Sequence, residues 1–203
     1  MSLKHGNARA GAYRSINRKI MILPYRNIYP KIHDSVLIAE GAFIIGDVEI
    51  GKDSSIWFNT IVRGDVNYIR IGERTNIQDL TMVHVTYKKF PTFIGNDVSI
   101  GHSAVIHGCR IKDFVVIGMG AKILDDSTIS SFSMVAGGSV VKERFVVPEG
   151  TLAAGVPAKV VRDLRPEEIE KIKQNAKNYL FYVEQYKTFN KGLGFQNNQP
   201  IDK

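Results

Sequence analysis

Cysteine is nearly absent from the chain: Cys109 stands alone among 203 residues, so an intrachain disulfide is excluded. This scarcity is typical of a reducing compartment, and we expect a cytoplasmic protein. No apolar run approaches the roughly 20 residues that cross a bilayer. Residues 1–20 also lack the compact apolar stretch of a secretory signal. We therefore expect no membrane partner.

Acidic residues are missing from residues 1–20, which carry five of the seven net positive charges of the chain. The remainder carries only +2, without a basic stripe interleaved with aromatic residues. A nucleic-acid partner is therefore not expected. We interpret residues 1–22 as a flexible basic extension. Met21 is an alternative start, and a transit peptide is the weaker alternative.

A period of six residues runs through the sequence. Isoleucine or valine recurs at this spacing in four runs, namely Ile32, Ile38, Ile44, Ile50, Ile56, Val62, then Ile71, Ile77, Val83, then Ile94, Ile100, Ile106, then Ile111, Ile117, Ile123, Ile129, Val135, Val141. Neither a helix nor a simple strand has this period. One short strand and one tight turn fill six residues, and three such steps close a triangular coil with its aliphatic side chains inside. Each coil leaves an apolar face uncovered, so the coils must stack.

One amphipathic helix is predicted after the repeat. Pro166 stands where a first helical turn tolerates proline. Apolar residues follow at helical spacing: Ile169, Ile172, Ala176, Leu180 and Val183. The predicted organisation is a β-helix over residues 23–148, a connector and helix packed along it over 149–189, and a frayed tail over 190–203.

The repeat slips three times, and a polar residue follows the last aliphatic residue before each slip: Arg63, His84 and His107. Counting three faces to a coil places these residues at one corner of successive coils, about 4.8 Å apart. His102 falls on a different corner. It cannot easily join the other two histidines within one chain, but it can do so from a neighbouring chain packed corner to corner around a three-fold axis.

Two imidazoles stacked in this way can share a metal ion with bonds of about 2.0–2.1 Å. With His102 of a neighbour as third ligand, the fourth position stays open for water. Three imidazoles and a water are the arrangement of a catalytic zinc site. The alternative is three solvated surface histidines.

The ordered motifs resemble those of the gamma-class carbonic anhydrases, in particular short bacterial members. They are Arg63-Gly64-Asp65, Asn76-Ile77-Gln78-Asp79, His84, Gly101-His102, His107-Gly108-Cys109 and Ile117-Gly118-Met119-Gly120. The resemblance covers about residues 24–186. It implies a homotrimer of left-handed parallel β-helices, an all-β solenoid with a C-terminal helix. It also implies reversible hydration of CO2 to bicarbonate by a metal-bound hydroxide at the subunit interfaces.

The resemblance assigns roles to individual residues. His84, His102 and His107 would bind Zn²⁺, or Fe²⁺ or Co²⁺. Gln78 would hydrogen-bond the hydroxide. An intersubunit ion pair that also helps to hold bicarbonate would be formed by Arg63 and Asp65, with Asp79 nearby.

Two glutamates expected from the resemblance are missing. Val66 follows Asp65, and Tyr87 stands three residues after His84. Tyrosine titrates near 10 and is a poor proton shuttle at neutral pH, so we expect low activity. Tyr179 in the predicted helix is either a substitute shuttle or a packing residue.

Two other functions fit the same coil, because one fold can carry several activities. The first is a hexapeptide-repeat acyl-CoA transferase or thioesterase, which commonly uses one catalytic histidine beside a groove for CoA. The set of three histidines argues against it. The second is a catalytically silent, metal-bound trimer, which the missing glutamates favour.

Overall fold

The computed structural model describes residues 21–189, and the predictions for residues 1–20 and 190–203 lie outside that range. The described chain forms a parallel β-solenoid of about seven turns and a single C-terminal helix. Its elements are β1 (Met21–Leu23), β2 (Lys31–Ile32), β3 (Leu37–Ile38), β4 (Phe43–Ile50), β5 (Ser55–Ile56), β6 (Ile61–Ile71), β7 (Asn76–Ile77), β8 (Met82–His84), β9 (Thr92–Ile94), β10 (Ser99–Ile100), β11 (Val105–His107), β12 (Arg110–Ile111), β13 (Val116–Ile117), β14 (Lys122–Ile123), β15 (Thr128–Ile129), β16 (Met134–Val135), β17 (Val140–Val141), β18 (Val146–Val147), β19 (Thr151–Gly155), β20 (Ala158–Asp163) and α1 (Pro166–Phe189). The first strand thus begins two residues before the predicted boundary at residue 23.

The strands stack in parallel on three faces. The first face contains β1, β4, β6, β8, β11, β14 and β17, and the second contains β2, β4, β6, β9, β12, β15 and β18. The long strands β4 and β6 turn the corner between these faces and belong to both. The third face contains β3, β5, β7, β10, β13, β16 and β19, and the antiparallel strand β20 ends it.

The aliphatic residues of the repeat fill the coil, as predicted. All eighteen positions except Ile32 are buried, with at most 4% of each residue exposed. Ile32, on the first rung, is partly covered. Small polar residues at the turns bond from coil to coil: the hydroxyl of Ser54 donates to the carbonyl of Gly72, and that of Thr75 to the carbonyl of Gly95. Buried polar groups are therefore satisfied by the stacking itself.

The C-terminal helix lies along the third face. Its N-terminus has Pro166 in the first turn, and the Glu168 carboxylate accepts a hydrogen bond from the backbone N–H of Arg165. Val183 packs with Leu37 and Trp57 of the coil. Within residues 21–189, no helix has the length and apolar character needed to cross a membrane.

Two adjacent valines on β18 test which side chains of the strand point into the coil and which point to solvent. Val147 is fully buried and Val146 is 55% exposed. We expect Val147→Ala to lower the free energy of unfolding by about 2 kcal/mol, since it removes two buried carbon groups and leaves a cavity. Val146→Ala should change it by less than about 0.5 kcal/mol. Denaturant unfolding at equal protein concentrations measures both, and equal losses would contradict the assignment.

Candidate metal centre

His84 and His107 lie on adjacent coils at one corner, as the repeat count predicts. Strands β8 and β11 pair in register, with the Cα of His107 opposite that of His84. The Nδ1 atom of His84 lies 3.2 Å from the Nε2 atom of His107. An ion about 2.0–2.1 Å from both nitrogens would hold them at an angle of about 100°, close to tetrahedral. The two side chains therefore fit two ligands of one zinc-class ion.

The other nitrogen of each ring faces a carboxylate. Nε2 of His84 lies 3.1 Å from Oδ1 of Asp65, and Nδ1 of His107 lies 2.5 Å from Oδ1 of Asp125. An ionised carboxylate can only accept, so these ring nitrogens carry the hydrogen. The lone pairs then remain on the nitrogens that face each other. Carboxylate partners of this kind fix the tautomer and ring orientation of metal-binding histidines.

Arg63 completes the corner through Asp65. Its guanidinium donates to the second oxygen of the Asp65 carboxylate within the same chain. Burial raises the pKa of Asp65, but the hydrogen bonds from His84 and Arg63 outweigh it, so the pKa lies below its usual value. Burial lowers the pKa of His84, and the positive charge of Arg63 adds to this effect. Both shifts favour a neutral imidazole beside an ionised carboxylate, which is the state a metal ligand needs. The pairing of Arg63 and Asp65 across a subunit boundary stays a prediction.

His102 lies apart from this pair, after β10 on the third face. Its Nδ1 atom is 2.6 Å from Oδ2 of Asp79, whose other oxygen accepts a hydrogen bond from the backbone N–H of Phe58. The imidazole is 45% exposed, and Nε2 is left as its ligating nitrogen. Within residues 21–189 of one chain, no three His, Cys, Asp or Glu side chains form a group that could hold a metal ion. The described part of one chain thus supplies the His84 and His107 pair at one corner and His102 at another.

Gln78 and Asp79 lie at the same corner as His102, since Ile77 pairs with Ile100 on the third face. Together with aromatic residues they line a cleft of about 390 Å³, whose walls are Trp57, Phe58, Gln78, Asp79, His102, Tyr179, Tyr182 and Tyr186. The Gln78 side chain donates through Nε2 to Oδ1 of Asn76, and Asn76 donates to the hydroxyl of Ser99. This chain of hydrogen bonds fixes the amide of Gln78 and leaves its oxygen as the acceptor at the cleft.

Tyr179 packs in the aromatic wall of this cleft. Its ring meets Trp57 edge-on at 5.7 Å between centroids. Burial raises the pKa of Tyr179 to about 12, and the charge of Asp79 adds to the shift. A phenol of this kind holds its proton at neutral pH, so the packing interpretation is favoured over the shuttle.

The positions of the two expected glutamates are occupied by residues without an acid function. Val66 packs against the core of the coil. Tyr87 is 60% exposed on the loop of residues 85–91. Neither side chain supplies the carboxylate expected at these positions.

Asp125 was not among the site residues identified from sequence. It lies one coil beyond His107, because Ile106 pairs with Ile123. The same corner count that stacks His107 on His84 would have reached residues 124 and 125 if continued by one coil. The position of Thr86, which donates to Asp125, could not be found by counting the repeat, because Thr86 lies on an irregular loop.

Known proteins resemble this chain over most of its length, although no family model matches it. "Gamma carbonic anhydrase 2, mitochondrial" of Arabidopsis thaliana is 46% identical over 88% of this chain, which spans 66% of the plant protein. "Probable carbonic anhydrase" of Methanocaldococcus jannaschii is 47% identical over 73% of this chain and 93% of its own length. The crystal structure of a hexapeptide transferase family protein from Anaplasma phagocytophilum matches with a TM-score of 0.79 and 41% identity, over 82% of this chain and 98% of that one.

The state of the Tyr179 phenol can be measured directly. We expect it to titrate near 12, because its buried ring next to Asp79 disfavours the tyrosinate. The measurement is the tyrosinate absorbance of the wild type minus that of Tyr179→Phe, with circular dichroism on the same samples as a check on folding. A phenol that ionises below the ordinary value near 10 would restore Tyr179 as a candidate proton carrier.

Proposed function

Because the chain belongs to the gamma carbonic anhydrase family, we propose that it catalyses the reversible hydration of CO2 to bicarbonate at a metal site between subunits. The observation that carries this proposal is the His84 and His107 pair. Their facing nitrogens are 3.2 Å apart, and each ring is anchored by a carboxylate on its far side. Such a pair supplies two of the three protein ligands of a catalytic zinc-class ion, so a third ligand is needed.

The proposed ligands are His84 and His107 of one chain and His102 of the next, and the proposed ion is Zn²⁺, with Fe²⁺ or Co²⁺ as alternatives. Imidazole suits all three metals. The ion would provide hydroxide at neutral pH by lowering the pKa of a water molecule to about 7. Asp65, Asp79 and Asp125 would keep the ring hydrogens on the nitrogens that do not bind the metal.

The side chains around the histidines would orient the reactants. The amide oxygen of Gln78, held by Asn76, would accept a hydrogen bond from the attacking hydroxyl group and so direct its lone pair towards CO2. The guanidinium of Arg63 is 37% exposed and can offer its remaining N–H groups to the bicarbonate anion. Asp65 keeps that guanidinium at the corner.

A homotrimer is the assembly that we propose. His102 precedes strand β11 and His107 is the last residue of that strand, so the first face lies between the two corners that must meet. The outward side chains on this face form a ladder of Phe43, Ile61, Met82 and Val105 on successive coils. Three copies arranged around a three-fold axis could cover this apolar ladder and pair each His102 corner with a neighbour's histidine pair.

Proton export would be slow in the proposed reaction. The positions of the expected glutamates hold Val66 and Tyr87, and Tyr179 keeps its proton. The proton would then pass to solvent directly from the partly exposed corner. Turnover should therefore rise with the concentration of a bulky buffer that has a pKa near 7 and does not bind metals.

Removing one histidine tests the proposal. We expect zinc-loaded wild-type protein to accelerate CO2 hydration and His107→Ala to lose both the metal and the activity while keeping its β-helical circular dichroism. His33→Ala is the matched control, because His33 lies on an exposed turn bonded to Ser35. It should retain both properties. Metal analysis and a stopped-flow indicator assay provide the readouts.

Two results would contradict the proposal. The first is a metal-loaded protein whose CO2 hydration does not exceed that of the free ion. The second is binding and turnover of acetyl-CoA without metal, which would favour the acyl-CoA transferase alternative; the Anaplasma phagocytophilum protein is named only as a hexapeptide transferase family member.

A further inference from the structure

We propose that Thr86 and Asp125 are positioning residues for His107, and that the loop of residues 85–91 is a rigid clamp on this histidine. The inference rests on the proposed metal site and adds two residues to it. The clamp consists of the loop, the Asp125 carboxylate and Gly108, which lies between them.

Both oxygens of Asp125 are engaged on the same corner of the coil. Oδ1 accepts the hydrogen bond from Nδ1 of His107, and Oδ2 accepts one from the hydroxyl of Thr86, each at 2.5 Å. The Asp125 side chain is only 20% exposed. A carboxylate held at both oxygens cannot rotate, so it fixes the plane of the imidazole that donates to it. The direction of the lone pair on Nε2 of His107 then depends on Thr86 as well.

Gly108 makes this approach possible. Its backbone is in the left-handed region, with φ at +54°. A Cβ atom at this position would lie 2.4 Å from Oδ1 of Asp125 and 3.0 Å from Cβ of Phe90. The carboxylate and the loop thus occupy the space that any larger residue would need. Because the loop, Gly108 and Asp125 pack closely against one another, the Asp125 carboxylate is confined to a single position.

The loop that carries Thr86 is itself held by hydrogen bonds. The backbone N–H of Thr86 donates to the carbonyl of Phe90 at 3.0 Å, and the N–H of Lys88 donates to the carbonyl of Val66 at 3.2 Å. Asn67 donates to the carbonyl of Thr86 at 3.1 Å. At the other end, the hydroxyl of Thr92 donates to the carbonyl of His84 at 2.6 Å. The loop thus contacts His107 through Asp125, and Thr92 of β9, directly after the loop, bonds the backbone of His84.

The side chain of Tyr87, near the middle of the loop, takes no part in the site. Tyr87 is 60% exposed, and the Lys88 ammonium lies 5.1 Å from its ring centroid. The part of the loop that reaches the site is the Thr86 hydroxyl. The function of the loop is therefore to hold a ligand in place, and proton transfer is left to solvent.

Metal affinity of loop variants tests the clamp, without reference to turnover. The probes are Zn²⁺, in competition with a chromophoric chelator, and Co²⁺, whose visible spectrum reports ligand geometry. We expect Thr86→Val to bind Zn²⁺ about 10-fold more weakly and to change the cobalt spectrum, since loss of an outer partner typically costs about 10–100-fold in affinity. Thr86→Ser keeps the hydroxyl and should remain within about 3-fold of the wild type.

Asp125→Asn should weaken Zn²⁺ binding at least as much as Thr86→Val, because the neutral amide is a poorer partner for His107. Asp126→Asn is the matched control: Asp126 is the exposed neighbour, with a φ of +59° that asparagine tolerates. It should bind like the wild type.

The proposal is overturned if Thr86→Val and Asp125→Asn both bind Zn²⁺ with wild-type affinity and give an unchanged cobalt spectrum. If the wild type binds zinc tightly but does not hydrate CO2, the proposed function is wrong. The clamp proposal would still stand, because it is tested by the affinity for zinc.

Discussion

Parallel stacking of the coils in exact register determines which side chains meet in this protein. Neighbouring coils are bonded through their backbones, and Ile106 lies directly over Val83 in the core. His107 must then lie over His84, one residue further along both strands. A shift of one residue would exchange inward and outward side chains, burying the histidines and exposing the isoleucines. The hydrophobic core and the candidate metal pair are therefore fixed by one and the same pairing.

The stacking could be predicted from the sequence because both the core and the corner follow from counting. Isoleucine spacing identified the rungs, and the slips after Val83 and Ile106 showed where His84 and His107 meet. The separation of His102 came from the same count. The orientation of side chains could not be obtained in this way. That the Gln78 amide is held by Asn76, or that Asp125 accepts from both His107 and Thr86, depends on side-chain rotamers and on an irregular loop.

Each of the three candidate ligands has its own carboxylate partner. Asp65 and Asp125 each accept a hydrogen bond from one ring nitrogen of their histidine, and Oδ2 of Asp79 lies 2.6 Å from Nδ1 of His102. The ligands are nevertheless divided between two corners of the coil, since His102 precedes β11 and His107 ends it. In the proposed enzyme the chemistry then depends on assembly, because residues 21–189 of a single chain bring together no three side chains that could hold a metal ion. The departures at Val66 and Tyr87 leave this arrangement of ligands untouched.

The most direct test of the shared site is a subunit-mixing experiment with His102→Ala and His107→Ala chains. Each variant alone should bind no zinc tightly, since every site lacks one ligand. When the two chains are co-expressed in equal amounts with different tags, about one quarter of the sites in the random mixture of trimers should be complete, because one interface in each mixed ring joins two intact halves. In trimers purified through both tags, which are all mixed rings, about one site in three should hold zinc that resists a chelator. Mixed assemblies that hold no more zinc than either variant alone would contradict a metal centre built between chains.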